Sequence, residues 1–134
     1  MFIKNYLSRL FALILVVVIG LVGCGGTTTG LTGNYVEDTN LVVQTLTKAI
    51  DLPNDDPEKA SVQALARDQI NDYASLYRRN STYSGLRSFT TMQTALNSLA
   101  GYYTSYGSRP LPEKLKSRLK QEFNQVEFSL TKGI

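Results

Sequence analysis

The side chains that carry most enzyme chemistry are scarce in this chain. Its 134 residues include one cysteine, Cys24, and no histidine. Without histidine, neither a Ser-His-Asp triad nor a His-containing zinc site can be assembled. Cys24 stands where the apolar stretch "VVVIGLVG" gives way to "GGTTTG". Lys4 and Arg9 precede an unbroken apolar run over residues 10–19, the arrangement of an export signal. That run is short of the roughly 20 residues that span a bilayer comfortably. Leu21-Val22-Gly23-Cys24 resembles a bacterial lipobox. Small residues let the extended chain enter a peptidase site, and the thiol accepts diacylglycerol. Cleavage before Cys24 would make it the acylated first residue of the mature chain. Acyl chains such as palmitate contribute about 0.8 kcal/mol per buried methylene, so two or three hold a small domain to a membrane. Cys24 is therefore expected to be an anchor, with thiol catalysis and an intrachain disulfide both ruled out.

Carboxylates are the remaining candidates for chemistry. They cluster in "DLPNDDPEK", where Asp51, Asp55, Asp56 and Glu58 surround a loop. A calcium loop of the EF-hand type needs ligands at alternate positions, a central glycine and a terminal Glu. This loop lacks that glycine and holds two prolines, so helix capping is the expected role and neither metal nor cofactor is expected. A hydrolase using two carboxylates would require them to converge in a cleft with one raised pKa.

Charge is unevenly spread. Residues 24–77 hold eight acids and three bases, and residues 78–134 hold three acids and nine bases. Such a dipolar chain suits an oriented protein partner better than nucleic acid, which wants a broadly basic surface. Arg78, Arg79 and Arg87 flank one inter-helix loop, and Arg109 precedes Lys114, Lys116, Arg118 and Lys120. Tyrosines lie near these arginines, and interface hot spots favour Tyr and Arg. Tyr103 and Tyr106 fall on an apolar seam and Tyr102 falls off it. Arg78, Arg79, Arg87, Tyr102 and Arg109 are the expected partner contacts.

Four helical periodicities must position these residues, and no sustained strand alternation is present. Residues 1–23 read as a cleaved signal peptide and 24–33 as a lipidated flexible tether with nothing to bury. Residues 34–134 form the domain. Its first helix, over about 34–50, carries Tyr35, Thr39, Val42, Val43, Leu46, Ala49 and Ile50 on one face. Asp51-Leu52-Pro53 stops it. The second opens at Asp56-Pro57, with the carboxylate as N-cap and proline at the first helical position. It carries Val62, Leu65, Ala66, Ile70, Tyr73, Leu76 and Tyr77. Ser88 is expected to cap the third, whose seam is Phe89, Met92, Leu96, Leu99, Tyr103 and Tyr106. Ala95, Ser98, Ala100 and Gly101 would let a neighbouring helix approach closely, and Gly107 would supply the C-cap. The fourth, about 112–132, buries Leu115, Leu119, Phe123, Val126 and Leu130, and Gly133 ends it. Short joins predict an all-α, antiparallel up-down-up-down four-helix bundle, expected to be a monomer.

The stretch "SFTTMQTALNSLAGYYTSYGSRPLPEKLKSRLKQEF" at residues 88–123 resembles the cyanobacterial photosystem II assembly lipoproteins, the Psb family numbered twenty-seven. The resemblance extends to the lipobox, to "LTGNYVEDT" at 31–39 and to "INDYASLYRR" at 70–79, and so covers nearly the whole mature chain. It implies a four-helix bundle on the lumenal side of the thylakoid membrane that is not an enzyme. It also implies binding to photosystem II assembly and repair intermediates, chiefly through the lumenal loop of the smaller core-antenna chlorophyll protein. That stage precedes the manganese–calcium cluster and the extrinsic subunits. From the residues alone, a lipid- or small-ligand-binding periplasmic lipoprotein is the alternative.

Overall fold

The computed structural model describes residues 29–134, so the signal segment, the lipobox and Cys24 lie outside the described residues. Four helices follow one another: α1 (Tyr35–Asp51), α2 (Lys59–Tyr77), α3 (Arg87–Tyr106) and α4 (Glu113–Lys132). None of them is long and apolar enough to cross a membrane.

Each helix starts and stops for a local reason. Asn34 caps α1 by accepting the Glu37 amide at 3.1 Å, and Glu37 and Asp38 place negative charge in the first turn, where the helix dipole favours it. All seven expected inward residues of α1 are buried. The helix ends at Leu52, held extended by the proline that follows. Lys59 then caps it from outside, donating to the carbonyls of Ala49 (2.8 Å) and Leu52 (2.9 Å). Burial, with Lys116 nearby, lowers the Lys59 pKa.

The expected start of α2 needs correction. Asp56 and Pro57 form a turn ahead of the helix, which begins at Lys59. Asp56 still accepts an amide two residues on, that of Glu58 at 2.9 Å, so the capping chemistry survives inside the turn. Leu76 is also misplaced: it is 41% exposed. Tyr73 and Tyr77, four residues apart, hold the inward positions, and Leu76 is turned about 100° from Tyr77.

In α3 the helix begins two residues early, at Arg87, and Leu86 precedes it without a side-chain cap. Ser88 is buried instead, its hydroxyl 2.7 Å from the Tyr35 hydroxyl. Tyr106 is 54% exposed because the seam runs out at Tyr103. Gly101 does not serve helix packing: a Cβ there would meet nothing within 4 Å. Gly107 ends the helix with a positive φ of 64°, its amide bonded to the Tyr103 carbonyl at 2.9 Å. At the end of α4, Gly133 is left-handed, and the amides of Gly133 and Ile134 reach the carbonyls of Leu130 (3.2 Å) and Ser129 (3.1 Å). This is a Schellman close.

Short joins pair α1 with α2 and α3 with α4 as antiparallel hairpins, which pack through α1 against α4 and α2 against α3. Contacts between the helix ends fix the directions. At one end Tyr35 meets Ser88 and Tyr77 meets Asp38; at the other Gln63 donates to the Gly107 carbonyl at 3.3 Å. The interior is filled by Leu46, Ile50, Tyr73, Tyr77, Met92, Leu96, Leu99, Leu119, Phe123 and Val126.

The end of the expected tether also departs from expectation. Leu31 is 7% exposed and joins the core. Asp38, 1% exposed, accepts the amides of Thr32 (2.8 Å) and Gly33 (2.9 Å), the Thr32 hydroxyl (3.3 Å) and the Tyr77 hydroxyl (2.5 Å). One carboxylate thus ties the entering chain to α1 and α2, and the compact unit begins at Leu31.

Candidate partner-binding surface

The carboxylates of the 51–58 loop do not converge on an open site. Asp51 pairs with Lys120, Glu58 pairs with Lys48 at 3.2 Å, and Asp56 is spent on its turn. Titration is displaced mainly in the core tyrosines. Burial pushes the Tyr103 hydroxyl up to about 12, with the Arg67 guanidinium, 5.2 Å from its ring centre, pulling the other way. Burial likewise raises Tyr73 and Tyr77, and Tyr77 is raised further by its hydrogen bond to the Asp38 carboxylate.

Tyr73 and Tyr77, with Tyr35 and Tyr83, form an aromatic plug at the end of the bundle where the chain enters. Tyr35 stacks on Tyr83 at 4.6 Å between ring centres and meets Tyr77 edge-on at 5.2 Å, while Tyr73 lies 5.0 Å from Tyr77. The Tyr73 hydroxyl bonds Thr39 at 3.0 Å. The buried hydroxyls are satisfied, so the plug is architectural.

The expected contact residues distribute over the two ends of one helix. Arg78 and Arg79 follow α2 and are exposed, and with Asn71, Ala74 and Ser75 they line a shallow hollow. Arg87, also exposed, is the first residue of α3. Arg109 is exposed in the connection beyond the other end of α3. At 1.5 Å per residue, α3 separates the two groups by about 30 Å. None of these four arginines joins an ion pair with a described residue, whereas Lys48, Lys116, Arg118 and Lys120 all do. Tyr102 is half-buried, and its hydroxyl donates to the Pro110 carbonyl at 2.7 Å, stapling the turn before α4. Tyr106, 4.9 Å from it between ring centres, presents the more exposed ring.

Between the two groups of arginines lies a surface that side-chain reading passes over. Residues 88–108 contain no Asp, Glu, Lys or Arg. Thr90, Thr94, Asn97, Gly101 and Thr104, at spacings of four and three, form the exposed line of α3. Phe128, 62% exposed, stands beside it across a shallow groove that includes Arg87 and Thr91. An uncharged centre with arginine and aromatic edges is the composition of a protein-binding surface. The signal was present in the sequence as a charge-free run, but only the fold shows which of its residues face out.

Comparison with known proteins bears on the same stretch. The family model for Photosystem II Pbs27 matches residues 9–130. A Photosystem II lipoprotein Psb27 from Synechocystis sp. is 65% identical over 99% of this chain and 98% of its own length. The Photosystem II assembly factor lipoprotein Psb27 of Thermosynechococcus vestitus is 54% identical over 95% of each chain. A solution structure of Psb27 from cyanobacterial photosystem II is 63% identical with a TM-score of 0.75, covering 82% of this chain and 96% of its own. By sequence along nearly its full length and by fold, this chain belongs to the photosystem II Psb27 family.

Proposed function

We propose that this protein is a membrane-tethered accessory factor that binds photosystem II assembly and repair intermediates and catalyses no reaction. Cys24 carries the acyl anchor after removal of residues 1–23, and the bundle works on the lumenal side of the thylakoid membrane. It occupies a surface of the immature complex, chiefly the lumenal loop of the smaller core-antenna chlorophyll protein. It does so before the manganese–calcium cluster and the extrinsic subunits are in place. Family membership supports the setting, as do relatives named as photosystem II lipoproteins.

The observation that carries the binding role is the set of four exposed arginines, Arg78, Arg79, Arg87 and Arg109, outside every ion pair among the described residues and grouped at the two ends of α3. Exposed pairs within a chain contribute little to its stability, whereas cations left unpaired can steer and orient an encounter. A lipid tether adds to this by confining the search to the membrane plane and raising effective concentration.

The test is the double variant Arg78→Glu/Arg79→Glu. It should weaken binding to photosystem II complexes lacking the manganese cluster and flatten the salt dependence, with helicity unchanged by circular dichroism. Unchanged affinity in the double variant would move the contact away from this end of the molecule.

A further inference from the structure

An exposed helix face in water ordinarily carries charge. From Thr90 to Thr104 the outward face of α3 carries none, and its threonine hydroxyls are already engaged within the helix. The hydroxyls of Thr90, Thr94 and Thr104 donate to the carbonyls of Arg87 (3.1 Å), Thr90 (3.0 Å) and Ala100 (2.9 Å). The Gln93 amide donates to the Asn97 side chain at 3.0 Å. A partner covering this face would therefore strip little from it that water alone had satisfied. Gly101 sits in the same line. Glycine is unfavourable within a helix, and nothing among the described residues needs one here, since a Cβ would meet open space. The missing side chain gains a use where a partner from outside the described residues comes close to the helix backbone.

The ends of the face differ from its centre. Arg78, Arg79 and Arg87 stand at one end and Arg109 at the other, about 30 Å apart. An anionic membrane or a phosphate backbone would call for cations along the whole length. A neutral middle between two cationic ends calls for a protein.

We propose that α3 seats a protein segment that is uncharged in its middle, approaches Gly101 closely, and presents carboxylates to Arg78, Arg79 and Arg87 at one end and to Arg109 at the other. This rests on reading the chain as a binding module and names the chemistry of what it binds.

The probe is a photosystem II core preparation stripped of manganese and extrinsic subunits, with the mature chain titrated onto it. Gly101→Leu should weaken binding at least tenfold without lowering the melting temperature. Thr94→Lys, which sets a charge in the middle of the face, should do the same. In Arg79→Lys and Arg109→Lys chains, a carbodiimide should join each new lysine to a partner Asp or Glu, forming an amide with net loss of water. Wild-type affinity in both Gly101→Leu and Thr94→Lys would overturn the seat on α3. If Arg78→Glu/Arg79→Glu still lost binding, the binding-module reading would stand alone. Cross-links at only one end, or at neither, would contradict carboxylates at both ends. A wild-type chain that failed to bind the stripped cores would remove both readings together.

Discussion

Asp38 concentrates more of the structure than any other polar residue described. It is buried at the start of α1, where the helix dipole favours its charge, and it accepts four hydrogen bonds, three from the entering chain and one from α2. Removing an acceptor of this kind leaves buried donors unpaired, at about 1–3 kcal/mol each before any gain from water entry. Asp38→Ala is therefore expected to destabilise the domain by roughly 2–4 kcal/mol in urea denaturation. Amide exchange at Thr32 and Gly33 should accelerate. A variant as stable as the parent would mean that the entering chain is held mainly by Leu31. Tyrosine makes the second residue-scale prediction. Tyr103 is pushed up to about 12, and Tyr73 and Tyr77 are raised as well, all first by burial. Their raised pKa values in the fold leave stability intact below the unfolded tyrosine value of about 10. Above it the unfolded state loses protons that the folded state keeps. Stability should fall as pH rises from about 10 to 12, and tyrosinate absorbance should grow in step with loss of helicity. Full tyrosine ionisation with intact helices would contradict the packing described.

At the scale of elements, periodicity accounts for most of what was legible beforehand. The seven-residue stripe of α1 and the inward Leu119, Phe123 and Val126 of α4 follow from spacing alone, because an amphipathic helix has one face to bury. What escaped was tertiary. Ser88 satisfied every local condition for a cap, yet the Tyr35 hydroxyl on another helix claimed it. Leu31 sat among glycines and threonines and gave no periodic sign, but the core had room for it. Asp38 did leave a trace: it lies three residues after Tyr35 and four before Val42, on the buried stripe itself. Small residues in α3 were readable as a close-packing signal, but the fold divides them. Ala95 is fully buried and Gly101 faces outward. Two predictions follow at this scale. Leu96→Ala, in the packed interior, should cost about 2–5 kcal/mol. Gly101→Ala should instead raise stability by roughly 0.5–1 kcal/mol, since the new methyl meets nothing. Loss of stability there, measured by thermal melting, would show a packing role that the open surroundings of Gly101 deny.

For the whole molecule, the proposal joins an anchor to an oriented surface. The compact unit starts at Leu31, seven residues after Cys24. On this reading Cys24→Ser should release the protein from membranes or block its processing, followed by membrane fractionation. Full retention would point to a second anchor. The central claim is that the protein acts by touching an immature photosystem II and makes or breaks no bond. Its most direct test is to capture the native acylated chain from solubilised thylakoids and quantify what comes with it. The account predicts enrichment of complexes that lack manganese and extrinsic subunits. Equal or greater recovery of mature, oxygen-evolving complexes would contradict it.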